Sequence, residues 1–255
     1  MGRGRLTLGK LGMLEAVADM LPRLLHGALD TLVIMAACTL LSLPIALMVA
    51  IGGGLSSSKP IRFLAASYVF AFRSSPALVQ LFLIYYAFSM SETLRQTWAW
   101  YFFQDPWFCG ILALTLNTAA YQAEIFRAGL QLVPKEQLDA SLSLGLSKVL
   151  TFWLVRAPGA FRLALPAYTN ELILLLKTTA IVSTITILDL LGTAKLIYTE
   201  TFDPFTPLML AAAIYLLLVW MIQWAMSKIE WWLMPHMRSS IAIPQPRKVV
   251  TPALG

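Results

Sequence analysis

The chain has 255 residues, of which 58% are hydrophobic and 13% charged, and its mean hydropathy is +0.73. A soluble domain is about a quarter charged, so this composition excludes one and selects an integral membrane protein. The net charge of +6 reads as basic loops beside a membrane, not as a nucleic-acid surface, because no basic domain stands apart from the apolar segments.

Residues 1–26 carry Arg3, Arg5 and Lys10 together with Glu15 and Asp19, and read as an amphipathic arm. The two carboxylates spoil the apolar core of a cleaved signal, so the first span is expected to be retained. Positions 4–11, GRLTLGKL, match the spacing of a phosphate-binding loop. Leu11 stands where that loop needs a Ser or Thr hydroxyl for magnesium, and no strand precedes it, so the match is chance.

Residues 27–234 are expected to form one membrane domain. Its first span is the uncharged stretch 31–55, with a kink expected at Pro44. A turn containing Lys59 and Arg62 leads to a second span, which is interrupted by Arg73 and by Pro76, a second candidate kink. The connector 92–106 holds the aromatic run TWAWYFF, a composition suited to the membrane interface. The third span begins near Trp107, with its polar residues concentrated in its second half. A fourth runs from about Leu163 to Leu191 and includes Asn170, Glu171, Lys177 and Asp189. A connector, GTAKLIYTETFDP, precedes a fifth span at 204–227. The basic, proline-containing tail 235–255 closes the chain. Cys38 and Cys109 lie in apolar runs and read as small buried hydrophobes without a disulfide. His26 and His236 flank the spans with no H-E-x-x-H pattern, so no metal site is expected.

The stretch 135–166 is the odd one. Leu138, Leu142, Leu146, Val149 and Trp153 recur at helical spacing, while Lys135, Glu136, Asp139, Lys148, Arg156 and Arg162 make the rest polar. Gly145 weakens a helix there and suits a break between two short helices. An odd number of spans puts the termini on opposite sides. Lys and Arg gather at 59–62, 127–162 and the tail, so those are expected in the cytoplasm and the N-terminus outside. The cations of the N-terminal arm fall on the outer side against that rule.

Charges inside a span are costly and face a partner or a water-filled path. Asn170 and Glu171 are therefore candidates for lining a pathway, with a packing role for Glu171 as the competing reading. Arg73 is read as structural, either snorkelling to the interface or holding the second span to its neighbour.

The stretch KEQLDASLSLGLSKVLTFWLVRAPGAFRLALP resembles the cytoplasmic signature loop of binding-protein-dependent ABC transporter permeases. Asp139, Ala140 and Ser141 stand for its E-A-A, Gly145 for its glycine, and Val155-Arg156-Ala157-Pro158 for its end. FRSSPALVQLFLIYY is similar to the R-G-T-P-x-x-x-Q-L segment of the polar amino acid branch, with Ser74-Ser75 replacing Gly-Thr and Gln80 matching the glutamine. LALTLNTAAYQAEIFRAGLQLVP and ALPAYTNELILLLKTTA resemble the same branch. YTETFDPFTPL is similar to the M-type permeases of histidine/lysine/arginine/ornithine and opine systems.

The resemblance covers about Leu25 to His236 and implies an all-α membrane fold. That fold is the type I importer transmembrane domain, with about five transmembrane helices and a cytoplasmic coupling loop near 131–162. It implies a bacterial inner-membrane permease for a basic amino acid or opine, or for another polar amino acid such as glutamine. The implied partners are a second permease, two ATPase subunits that carry ATP and magnesium, and a periplasmic solute-binding protein. This chain itself would bind no cofactor and catalyse no reaction. The resemblance assigns Leu138, Asp139, Ala140, Ser141, Leu142, Gly145 and Leu146 to coupling with the ATPase. It leaves Arg73, Pro76, Gln80 and Pro158 structural. A stand-alone secondary transporter would be expected to show an internal repeat and more spans, and a membrane enzyme would need a catalytic constellation.

Overall fold

The structure, a computed structural model, describes residues 3–87 and 90–233, with side chains from Val17 onward except Leu94. The tail 235–255, with His236 and its cations, and the side chains of Arg3, Arg5 and Lys10 lie outside the described residues.

Among the described residues the chain is helical throughout. Helix α1 (Arg3–Leu55) is followed by α2 (Lys59–Ser74) and α3 (Ala77–Phe82), the last running into a wide π turn at Leu83–Ala87. The short α4 (Glu92–Arg95) and α5 (Trp100–Phe103) form the aromatic connector. Then come α6 (Pro106–Leu132), α7 (Lys135–Ser143), α8 (Lys148–Thr151) and α9 (Ala157–Thr178), the last ending in a 3₁₀ stretch at Thr179–Ile185. Helices α10 (Leu190–Thr201) and α11 (Phe205–Leu233) complete the domain.

The five segments expected from the sequence are present as α1, the α2–α3 pair, α6, the α8–α10 run and α11. By length and apolarity Val17–Leu55 and Phe205–Leu233 qualify as spans outright. The other candidates are helix pairs bent by 102° at α2–α3 and by 47° before α10. Helix α6 spans about 40 Å at 1.5 Å per residue. It escapes a purely apolar criterion because Asn117, Gln122, Glu124 and Arg127 fill its second half.

Helix α1 runs unbroken across the junction expected between the arm 1–26 and the membrane domain, with Pro22 and Pro44 inside it. Met20, Leu24 and Ala28 recur every four residues and are buried against Leu190, Ala194, Ile197 and Ala211, so tertiary packing carries the helix through. At the two candidate kinks, α1 stays helical through Pro44, whereas the chain breaks at Ser75-Pro76. The expected fourth span, 163–191, stops early, at Ile185, and the expected connector is α10.

Helix α6 lies at the centre, packed on α1, α2 and α9. Small residues let the backbones approach, as is usual between membrane helices. Ala46 and Ala50 of α1 meet Ala119 and Ala123 of α6 and Ala164 of α9. A Cβ on Gly129 would lie 2.7 Å from the Ala160 carbonyl oxygen, so α6 and α9 touch backbone to side there. Asp105 caps α6 by accepting from Trp107 N at 3.1 Å, with Pro106 in the first turn where its missing N–H costs nothing.

Candidate functional site: a polar cavity at a broken helix

Helix α2 ends at Ser74 because Pro76 cannot donate and disfavours helical geometry at Ser75, whose ψ is 143°. A broken helix leaves carbonyls without intrahelical partners, and a bilayer offers no water to replace them. Gln80, buried on α3, answers this. Its Nε2 donates to Phe72 O at 2.9 Å, to Ser75 O at 3.1 Å and to Ser75 Oγ at 2.7 Å. Its Oε1 accepts from Asn117 Nδ2 of α6 at 3.0 Å, and that amide also donates to Phe72 O at 3.2 Å. Two side-chain amides thus hold the α2–α3 corner against α6.

The corner opens a cavity of about 370 Å³, walled by Arg73, Ser75, Asn117, Tyr121, Glu171 and Thr178 among others. Glu171 is buried on α9 and faces this space. Arg73 places its guanidinium 5.2 Å from the centroid of the Tyr121 ring. Among the described residues Arg73 and Glu171 share the cavity wall without an ion pair between them. A site with one carboxylate, one guanidinium and amides can hold a zwitterion by both ends.

The structure separates the two residues that the sequence put together. Asn170 is exposed and lies off the cavity wall, whereas Glu171 is on it. Adjacent helix positions diverge by about 100°, so one helix cannot turn both inward. Lys177 is exposed and lies off the cavity. The residues missed were Asn117 and Tyr121. Their signal was present in the sequence: Asn117, Tyr121 and Glu124 recur at helical spacing and mark one polar face of α6.

In the loop, Gly145 adopts φ +83°, the left-handed conformation that glycine allows. Leu146 N donates to Ser141 O at 3.2 Å and Gly145 N to Leu142 O at 2.9 Å, the paired closure of a Schellman cap that ends α7. Ser147 then caps α8 by accepting from Leu150 N. The apolar stripe read from the sequence divides at this turn. Leu138 is half-buried against Leu130, Val133 and Ala160 of its own chain, and Leu146 is half-buried. Leu142, Leu144, Val149, Trp153 and Leu154 are exposed. Asp139 and Ala140 are exposed, while Ser141 is buried, donating to Leu138 O and hydrogen-bonded to the Thr151 hydroxyl. Pro158 follows the π turn Phe152–Arg156, whose widened geometry accommodates a proline that lacks an N–H.

Fold and site together define a polytopic helical membrane protein with a polar cavity at a helix break and a short helical loop bearing exposed apolar residues. Residues 42–230 match the family of binding-protein-dependent transport system inner membrane components, and the chain belongs to that family. It is a transport permease subunit.

The chain is 40% identical over 244 residues to the nopaline transport system permease protein NocM of Agrobacterium fabrum, covering 93% of this chain and 99% of that protein. It is 41% identical to the octopine transport system permease protein OccM of Rhizobium meliloti, over 70% of this chain and 73% of the relative. The histidine/lysine/arginine/ornithine permease HisM of Salmonella typhimurium is 40% identical over 65% of this chain and 71% of its own length. Among solved structures, that of an amino acid ABC transporter with histidines superposes with a TM-score of 0.73 at 34% identity, covering 86% of this chain and 96% of that one. An inward-facing MetNI methionine transporter shares the fold at a TM-score of 0.62, 19% identity and coverage of 87% and 98%.

Proposed function

We propose that the chain forms half of the translocation pathway of an ATP-driven importer for a basic amino acid or an opine. The supporting observation is the cavity that combines Glu171 with Arg73, Asn117 and Tyr121. A carboxylate there attracts the solute's ammonium or guanidinium, and Arg73 complements its carboxylate. The names of the relatives, which are nopaline, octopine and basic amino acid permeases, favour the same solutes. Asn170, exposed on the other side of α9, has no part in this reading.

Glu171→Gln keeps the shape and removes the charge. Uptake of labelled arginine by the assembled complex is expected to fall severalfold or more. Unchanged uptake by an assembled Glu171→Gln complex would return Glu171 to a packing role.

The proposed assembly pairs this permease with a second one, two ATPase subunits that carry ATP and magnesium, and a periplasmic binding protein, in the bacterial inner membrane. The exposed Leu142, Leu144, Val149 and Trp153 beside Asp139, Ala140, Ser141 and Gly145 would dock an ATPase in the cytoplasm. Leu142→Glu is expected to strip the ATPase from the purified complex, and full retention with normal uptake would refute the docking. In intact cells, a cysteine at Thr93 is expected to label from outside and one at Ser147 to stay protected.

A further inference from the structure

The cavity that holds Glu171 has a larger neighbour. A space of about 850 Å³ lies between α1, α2 and α6, and its wall includes Lys59, Arg62, Glu124 and Arg127. The two cavities share three wall residues, Arg73, Ser74 and Tyr121. Arg73 shares a wall with one carboxylate on each side, Glu171 in the smaller cavity and Glu124 in the larger. Glu124 is itself held by Arg127, whose Nε donates to Glu124 Oε2 at 2.8 Å. Arg73 is exposed, being the last charged residue before α2 ends, and its guanidinium rests on a half-buried ring of α6.

We infer that the Arg73–Tyr121 stack is a gate between the two cavities, closed when the guanidinium lies over the ring and opened when it swings away. Arg73 sits two residues before the Ser75-Pro76 break, where α2 and α3 part by 102°. A stack between a guanidinium and a ring is strong enough to hold a closed position and weak enough to yield to a competing charge. A solute carboxylate held beside Glu171 in the smaller cavity supplies that competitor, since it attracts the guanidinium more strongly than a ring face does. Glu171 gives the released guanidinium a favourable position in the smaller cavity, so displacement leaves no charge stranded.

This inference rests on the reading of the chain as a solute pathway. The test uses the intact complex in proteoliposomes preloaded with labelled arginine. ATP-independent efflux is measured beside uptake driven by ATP and the binding protein. Arg73→Gln and Tyr121→Leu are each expected to raise efflux at least tenfold. Tyr121→Phe, which keeps the ring, is expected to stay sealed, and Arg73→Lys, which keeps the charge but loses the flat stacking group, to leak to an intermediate degree. Parental efflux in assembled Arg73→Gln and Tyr121→Leu complexes overturns the gate. Should Arg73→Gln fail to assemble, Tyr121→Leu against Tyr121→Phe decides: equal efflux refutes the gate and a leak confined to the leucine variant supports it. A parental complex that shows no uptake of any basic amino acid or opine overturns the pathway reading instead, which separates the two failures.

Discussion

The protein breaks two of its helical segments, and it finishes the breaks in opposite ways. At Ser75-Pro76 the bend is 102°, the exposed carbonyls are met by the amides of Gln80 and Asn117, and a polar cavity opens beside the corner. Between Ile185 and Leu190 the bend is 47° and the capping groups of the joint are buried. There the chain turns at Thr186, with φ 71°, and Asp189 caps α10 by accepting from Gly192 N at 2.9 Å and Leu191 N at 3.4 Å. Leu190 N donates to Thr31 Oγ1 of α1 at 3.0 Å, and Tyr215 OH of α11 donates to Asp189 Oδ2 at 3.3 Å. Both joints obey one requirement, that backbone groups freed inside a membrane find protein partners. They differ in what faces them. The first is closed by amides and leaves its charge, Arg73, exposed. The second buries its charge, Asp189, completely. The two breaks thus differ in where the charge sits, exposed beside a cavity at the first and buried at the second.

The sharpest way to break this comparison is Gln80→Leu. It removes the donor to Ser75 O and the acceptor for Asn117, and each buried group left unpaired costs about 1–3 kcal/mol. The purified complex is expected to melt at distinctly lower temperature and to lose uptake, because the α2–α3 corner shapes the cavity.

Gly27→Val probes the packed joint next. A Cβ there would lie 2.6 Å from Thr193 Oγ1 and 2.9 Å from Asp189 O. Overpacking of this kind costs about 1–3 kcal/mol. The expected outcome is a lowered melting temperature, while the uptake that survives keeps the parental preference among solutes. A changed solute preference would show that this joint, too, shapes the site.

A smaller effect is expected away from the spans, at the cap of α7. Gly145→Ala meets no neighbour within 4 Å but forces a side chain to φ +83°, a strain of about 1 kcal/mol. Limited proteolysis of the loop should quicken modestly, and an unchanged rate would mean that the cap is not what orders the loop. Tyr215→Phe should do least. Asp189 keeps its two backbone donors, so losing one hydroxyl bond costs about 1 kcal/mol or less and barely moves the melting temperature.

Much of the molecule was legible without its structure, for a physical reason. Apolar runs of span length, the breaker at Pro76 and the glycine at 145 act locally, so sequence order alone reports them. Glu171 stood out for the same reason, since a carboxylate in an apolar run needs a partner or a path wherever the helix points. The family resemblance was legible too, because its motifs are contiguous. What sequence could not supply was direction and partnership. Asn170 and Glu171 are neighbours in the chain, yet only Glu171 turns into the cavity, because helix rotation is set by the packing of α9 on α6 and α11. Pro44 reads as a kink, yet α1 stays helical through it, its flanks Leu43, Ile45 and Ala46 packed with Ala119, Ala123 and Ala164 far along the chain. GTAKLIYTETFDP reads as a connector, yet most of it is a helix, capped by Asp189, which accepts from Leu191 N and Gly192 N, and by Thr31, which accepts from Leu190 N. Arg73 acquires a ring to rest on only when α2 lies against α6. Local chemistry determined which residues had to be accommodated. Long-range packing decided which of them face a common space, because that choice depends on distances between residues about 40 to 160 positions apart.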